Sequence, residues 1–172
     1  MANDHLAGPS GDAIIAAFDT AGVRFVAAVP DIVTSEGLLW PLSRDRRFRL
    51  IRLCKEDEGI SICTGLAFTG HRAVLLMQQT GLLDSLNSIR AIAVEYSQPI
   101  CMIVGLQGKE PDRLPSASTR YGVRIIEPIL DAMGIDHLNI EGPGDEAALA
   151  PAIDRAYTLQ RPVAALIGRT VQ

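Results

Sequence analysis

Ala73-Val74-Leu75-Leu76-Met77-Gln78-Gln79-Thr80-Gly81 is five apolar residues in an unbroken run, followed at once by two amides, a hydroxyl and a glycine. Such a run is too short for a helix. Its lack of alternation means that both faces of the strand it forms are covered. Residues 24–29, 48–53, 99–104 and 163–167 repeat the theme, and a weaker strand is expected near 137–140. Helical patterns separate them. Ser10 caps one through about Ala21, with Gly22 as its stop, and others cover 35–42, 56–69, 82–96, 123–133 and 145–159. Apolar strands alternating with helices specify an α/β protein, a three-layer open parallel sheet with helices on both faces. One domain is expected over 1–172, with its core at about 10–168.

Composition narrows the function. With 48% hydrophobic residues in 172, the chain can bury an ordinary core. A net charge of −4 is no footprint for nucleic acid or an anionic membrane. Cys54, Cys63 and Cys101 lack CxxC spacing, and two lie in apolar runs, as buried reduced thiols do. His5, His71 and His137 are scattered, so no protein-only metal site is expected. Met1-Ala2-Asn3-Asp4-His5 opens without a basic stretch leading into an apolar one, and no run approaches the ~20 apolar residues of a membrane span. A cytoplasmic protein is expected.

Ligands of open parallel sheets sit beyond the carboxyl ends of the strands. The segments there are Pro30-Asp31, Cys54-Lys55-Glu56, Gln78-Gln79-Thr80-Gly81 and Leu106-Gln107-Gly108. Glu56 stands out among them. In the helix from Lys55, the apolar stripe runs through Ile60, Cys63 and Ala67, and one turn back along it lies Glu56. Two readings stay open. Acids in a first helical turn are favoured by the macrodipole by ~0.3–1 kcal/mol each, or this carboxylate is a working acid. There is no GxGxxG, GxxxxGK[ST] or GxSxG, and no Ser–His set for a hydrolase. An edge with one odd carboxylate, amides and glycines is equipped to grip a cofactor that carries the chemistry.

The run Lys55 to Gly65, then Met77-Gln78-Gln79-Thr80-Gly81 and Ser85-Leu86-Asn87, resembles the pyrimidine-binding domain of thiamine-diphosphate enzymes. Within that superfamily it looks most like the alpha subunit of sulfopyruvate decarboxylase and the equivalent half of phosphonopyruvate decarboxylase. The shared features are an acidic stretch, a glycine nine residues after its first Glu, an MQNSG-like turn and a following SxN. The resemblance implies that Glu56 is catalytic, hydrogen-bonding N1′ of the cofactor's aminopyrimidine. It also implies that Gln79, Thr80 and Gly81 form the loop that approaches this ring. Thr80 as the N-cap of the next helix is a structural alternative. Asp31 is placed either toward substrate or in an ordinary turn after Pro30.

The departures bear on substrate. Pyruvate-type decarboxylases of the superfamily carry a His pair before the position of Gly122, where this chain has Ser118-Thr119-Arg120-Tyr121. Hydroxyls and a cation suit a 3-sulfonate or 3-phosphonate on pyruvate, so Ser118, Thr119 and Arg120 are candidate substrate residues, with Arg113 and Ser116 nearby. A solvated loop has the same composition. No GDG occurs; Gly144-Asp145-Glu146 departs from it at the third residue. The resemblance then implies half an enzyme. Thiamine diphosphate would be shared with a separate diphosphate-binding beta subunit that holds Mg2+, in a hetero-oligomer, with homodimer formation open to the chain alone. The expected reaction is sulfopyruvate to sulfoacetaldehyde and CO2. A carboligase or acyl-transfer subunit, and a non-catalytic scaffold or regulatory binder, are the alternatives.

Overall fold

Ser10 opens the first helix as its position foretells. Its Oγ accepts from the Ala13 N–H at 3.3 Å, and α1 (Gly11–Thr20) closes as Gly22 takes a φ of +72°. The computed structural model describes residues 7–172; Met1–His5 and the expectation drawn from them lie outside the described residues. After α1 come β1 (Val23–Ala28), a π-helical turn Ser35–Leu39 running into α2 (Trp40–Arg44), and β2 (Arg49–Arg52). α3 (Glu56–Phe68) leads to β3 (Arg72–Gln78), then α4 (Gln79–Asp84) and α5 (Leu86–Ser88). A π-helical stretch Ile89–Val94 precedes β4 (Cys101–Gly105). The remainder is α6 (Tyr121–Arg124), α7 (Ile126–Ala132), β5 (Asp136–Ile140), α8 (Leu149–Leu159) and β6 (Val163–Ile167). No helix among the described residues is long and apolar enough to cross a membrane.

The six strands form one parallel sheet in the order β2-β1-β3-β4-β6-β5. Successive side chains of the central strands go to opposite faces. Val74, Leu76, Cys101, Ile103, Ala165 and Ile167 pack with α1, α2 and α8. Leu75, Met77, Met102, Val104, Ala164 and Leu166 pack with α3, α4, α6 and α7. Each Leu wholly removed from water contributes about 1.5–3 kcal/mol, and Leu75 and Leu76 are both 0% exposed. That two-sided burial makes the run at 73–77 continuous rather than alternating.

The expected helices are divided in the structure: 35–42 begins as the π-helical turn before α2, 123–133 is split between α6 and α7, and 145–159 opens as a 3-10 turn, Asp145–Ala148, before α8. The helix expected over 82–96 is three pieces starting at Gln79: α4, α5 and the π-helical stretch. Leu82, Ile89 and Ala93 are all buried at helical spacing, so the apolar pattern reads as one helix while the hydrogen bonding widens beneath it. No residue separates β3 from α4, because Gln78 is both the last strand residue and, at φ −82° and ψ 159°, the N-cap. The Gly142-Pro143-Gly144 turn leads into a 3-10 turn, with the Asp145 carboxylate accepting from the Glu141 and Gly142 N–H groups at 2.8 and 3.0 Å.

Gly59 sets how closely α3 lies on the sheet. A Cβ there would fall 2.4 Å from Leu75 Cδ1 and 2.8 Å from Leu53 Cδ1. Gly59→Val is expected to push α3 outward and destabilise the fold by about 1–3 kcal/mol, the usual cost of overpacking. Urea unfolding measures this, and an unchanged midpoint would contradict the close contact.

Candidate active site at the carboxyl edge of the sheet

β2, β1, β3 and β4 are consecutive in the sheet, so the segments that follow them meet at one edge. Ala28 pairs with Arg52 and Leu76, and Gln78 with Gly105, which keeps the four strand ends in step.

Three acids fill the first turn of α3, and their partners separate them. Glu58 turns back, its Oε2 accepting from the Cys54 N–H at 3.1 Å and closing the helix start. Asp57 lies 3.4 Å from Lys55 Nζ, which is also 3.0 Å from Asp84 of α4. Both pairs are solvent-exposed and worth about 0–1 kcal/mol. They raise the Lys55 pKa, Asp84's hydrogen bond foremost. The carboxylate of the half-buried Glu56 makes no hydrogen bond or ion pair with any described residue. Its carboxyl group instead lies across the α-carbon of Gly81. A Cβ on Gly81 would stand 2.3 Å from Glu56 Cδ and Oε1. Gly81 has no positive φ, so proximity rather than backbone conformation requires glycine here. Gly65, nine residues after Glu56, has nothing within 4 Å of where its Cβ would be and is required by no contact here.

Gln79 and Thr80 belong to the first turn of α4 rather than to a free loop, and Gln78, not Thr80, is the N-cap. The exposed Thr80 accepts from Gln78 Nε2 at 2.8 Å. Gln79 is 6% exposed, and its amide closes a two-bond clasp on Gln107. Oε1 accepts from the Gln107 N–H at 2.8 Å and Nε2 donates to the Gln107 carbonyl at 3.1 Å. It therefore ties the β3 end to the segment after β4.

Asp31 also works locally. Its Oδ1 accepts from the Val33 and Thr34 N–H groups at 2.7 and 3.0 Å, and Oδ2 takes the Thr34 hydroxyl. This buried carboxylate stands against Gly105, whose Cβ would be 2.6 Å from Asp31 Oδ1. It holds the turn after β1 against the end of β4.

The 107–120 loop has an organiser that no sequence pattern marked. Glu110 gathers both candidate hydroxyls, Ser118 Oγ donating to Oε2 at 2.8 Å and Thr119 Oγ1 to Oε1, with the Thr119 N–H at 3.1 Å. Ser118, 1% exposed, in turn accepts from the Arg120 N–H at 3.1 Å. The Ser118 and Thr119 hydroxyls are thus engaged with a carboxylate. Arg120 is exposed, its stem and Nε lying over Gly108, 3.6–3.9 Å from the position of a Cβ there. The near end of the loop is pinned from below. Lys109, with a wholly buried side chain, pairs with Glu141 at the end of β5 at 2.7 Å.

The edge therefore holds the unengaged carboxylate of Glu56 over the bare α-carbon of Gly81, a clasped turn beside it, and the exposed Arg120 farther along. Burial pushes the Cys63 thiol up to about 12 and the Cys101 thiol higher still, so neither is a nucleophile. No group of three or more His, Cys, Asp or Glu among the described residues could hold a metal ion.

The chain is 30% identical over 160 residues to the sulfopyruvate decarboxylase alpha subunit of Methanococcus maripaludis, covering 92% of this chain and 93% of that one. It is 25% identical over 159 residues to a sulfopyruvate decarboxylase of Methanosarcina acetivorans, covering 92% of this chain but 40% of that longer relative. Among solved structures, 2-oxoglutarate:ferredoxin oxidoreductase from Magnetococcus marinus matches 91% of this chain with a TM-score of 0.63 and 17% identity, over 28% of its own length. At that identity the likeness bears on the fold alone. No family model matches the chain.

The hydrogen bonds to Glu110, first Thr119's hydroxyl and then Ser118's, hold its carboxyl down at about 2, from an ordinary 4.5. A depressed folded value means that this anchoring is complete above 4.5 and lost as pH falls from there through about 2. A carbon-13 titration of the Glu110 carboxyl is expected to show a midpoint near 2, with the Thr119 amide following it. A midpoint near 4.5 would remove the cluster.

Proposed function

We propose, from the premise that this chain belongs to the family of sulfopyruvate decarboxylase alpha subunits, that it contributes the pyrimidine-binding half of a thiamine-diphosphate-dependent decarboxylase. The substrate in this reading is sulfopyruvate or a close 3-substituted pyruvate, released as sulfoacetaldehyde or its analogue and CO2. One observation carries it. Of three neighbouring acids, only Glu56 keeps its carboxyl free of partners, and that group lies over Gly81 at the open edge of the sheet.

These residues fit the aminopyrimidine end of thiamine diphosphate. Glu56 would hold a proton at N1′ of the ring, and the start of α4 at Gln79, Thr80 and Gly81 would lie along the ring, where glycine admits close approach. When bound, the cofactor supplies the electron sink for the charge left as CO2 departs. Gln79 contributes by keeping α4 and the 107–120 loop in register. Arg120, held by the Ser118–Glu110 cluster, is the cation placed to receive the substrate's anionic end; Ser118 and Thr119 act through that cluster. Asp31 shapes the floor between β1 and β4.

Among the described residues there is no donor set for a divalent cation, so Mg2+ and the diphosphate belong to a second subunit in this reading. The naming of the M. maripaludis relative as a subunit supports this, as does the longer M. acetivorans chain, of which this one matches 40%.

The test is reconstitution. The chain is purified with the subunit that accompanies it in its own cell, supplied with thiamine diphosphate and Mg2+, and assayed for CO2 release from sulfopyruvate. Glu56→Gln is expected to lower turnover by about 10²–10⁴-fold, the range for losing a positioned acid–base group, with an unchanged melting temperature. Full activity in that variant would sink the assignment. Gly81→Ala separates the contact from the fold. Alanine is the better helix former by about 0.8–1 kcal/mol, so the variant should fold at least as well. Its added methyl displaces the Glu56 carboxyl, and turnover should fall by a similar factor. A Gly81→Ala enzyme of normal activity would show that this contact is incidental.

A further inference from the structure

The net charge of −4 conceals a segregated surface. Arg44, Arg46, Arg47, Arg49 and Arg52 lie within nine residues that hold a single acid, Asp45. The rest of the chain has 11 basic against 19 acidic residues. Arg47 is engaged, at 2.6 Å from Asp45 and 2.9 Å from Asp19. The side chains of Arg44, Arg46, Arg49 and Arg52 are exposed and have no hydrogen-bond or ion-pair partner among the described residues.

Their place in the fold gives the cluster a shape. β2 is the outermost strand, paired with β1 alone, so its other backbone edge carries no ladder. Leu50 packs toward the face covered by α1 and α2, and Ile51 toward the face covered by α3. Alternation therefore sends Arg52 to the first face and Arg49 to the second. The arginines do not converge on a point, so they are not a pocket for one compact anion. They line both sides of an open strand edge. On Arg52's side is a cleft of about 320 Å³ walled by Pro30, Leu39, Trp40, Leu50 and Leu53. Trp40 is 43% exposed, and Ile32 close by in the chain is 68% exposed.

We propose that the β2 edge docks an extended acidic segment of the second subunit, which adds to the sheet as a strand and seats one large apolar side chain in the cleft beside Trp40. Strand addition supplies main-chain hydrogen bonds while alternate side chains go to opposite faces. An acidic strand would thus meet Arg49 on one face and Arg52 on the other. The arginine edge repels the same edge of another copy of this chain, which excludes symmetric self-pairing here. The surface also borders the candidate active site, since Arg52 and Leu53 lead directly to Glu56. A subunit that completes that site comes to this rim. The proposal rests on the shared-site reading above.

Trp40 is the chain's one tryptophan, which makes the test local. The chain is labelled with 5-fluorotryptophan, and the separately prepared second subunit is titrated in while the fluorine signal of Trp40 is followed. The signal is expected to shift stoichiometrically, with an apparent Kd that weakens steeply with salt. Arg49→Glu with Arg52→Glu should raise Kd by at least about tenfold, and Arg49→Gln with Arg52→Gln by less, as for charges at an interface. Unchanged circular dichroism would show both variants folded.

Binding and turnover with an unmoved Trp40 signal and unaltered Kd would overturn the docking surface and leave the decarboxylase reading standing. Binding at this edge with no sulfopyruvate turnover would do the reverse. A shift produced by inorganic tripolyphosphate, with loss of the second subunit's effect, would overturn the proposal in favour of a small polyanion.

Discussion

Because Gly81 has no side chain, the carboxyl group of Glu56 lies directly on the first turn of α4, and the rest of the sheet edge is arranged around that contact. Two helix starts must come together for it to exist. α3 can lie this close to the sheet because Gly59 leaves room for Leu75 and Leu53. α4 begins without a spacer because Gln78 ends β3 and caps the helix at once. Lys55 then bridges the two helices, pairing with Asp57 in the first turn of α3 and with Asp84 at the end of α4. None of these contacts is strong by itself. Their common effect is to leave one carboxylate without a partner where its neighbours have theirs, and an unengaged acid at a strand-end edge is available for chemistry.

The loop after β4 is held on the same principle, by polar groups that satisfy one another. Gln79 clasps the main chain of Gln107, Lys109 is buried against Glu141, and Glu110 collects the hydroxyls of Ser118 and Thr119. A segment with glycine, two prolines and several charges has the composition of a mobile loop. It is instead anchored at three places along its length. The consequence for recognition is specific. A cluster of hydroxyls and cations suits an anion when the hydroxyls are free, whereas here a carboxylate has taken them. Arg120 remains exposed in this loop, as does Arg113, and its main-chain N–H is fixed through Ser118.

Charge is also divided between the two ends of the functional surface. Three acids stand at the start of α3 and unpaired arginines along β2, a few residues apart in the chain. Such neighbouring regions of opposite sign orient an approaching partner before contact, because complementary potentials steer association. The fold brings this about by making β2 an edge strand whose carboxyl end leads into α3, so the proposed docking rim and the candidate site share one turn.

Much of this was legible in the residues themselves. Continuous apolar runs at 73–77 and 163–167, each buried on both faces, determine a parallel sheet with two helical layers, because only a covered sheet tolerates strands with no polar side. The same periodicity places Asp31, Glu56, Gln79 and Gly108 at strand ends and hence at one edge. It could not show that the pattern of Leu82, Ile89 and Ala93 spans three helical pieces, since the buried spacing stays helical while the hydrogen bonds change. Nor could it find Glu110, whose partners lie eight and nine residues away in a loop without period. What the tertiary structure alone decided is which polar groups are used up. Glu58, Asp57, Gln79, Ser118 and Thr119 all have the chemistry of site residues, and each is engaged by a neighbour. Glu56 is not, and its carboxyl lies against a glycine 25 positions along the chain that offers it no hydrogen-bonding side chain. Local pattern follows from residue type and spacing, but the availability of a carboxylate depends on what the fold places beside it.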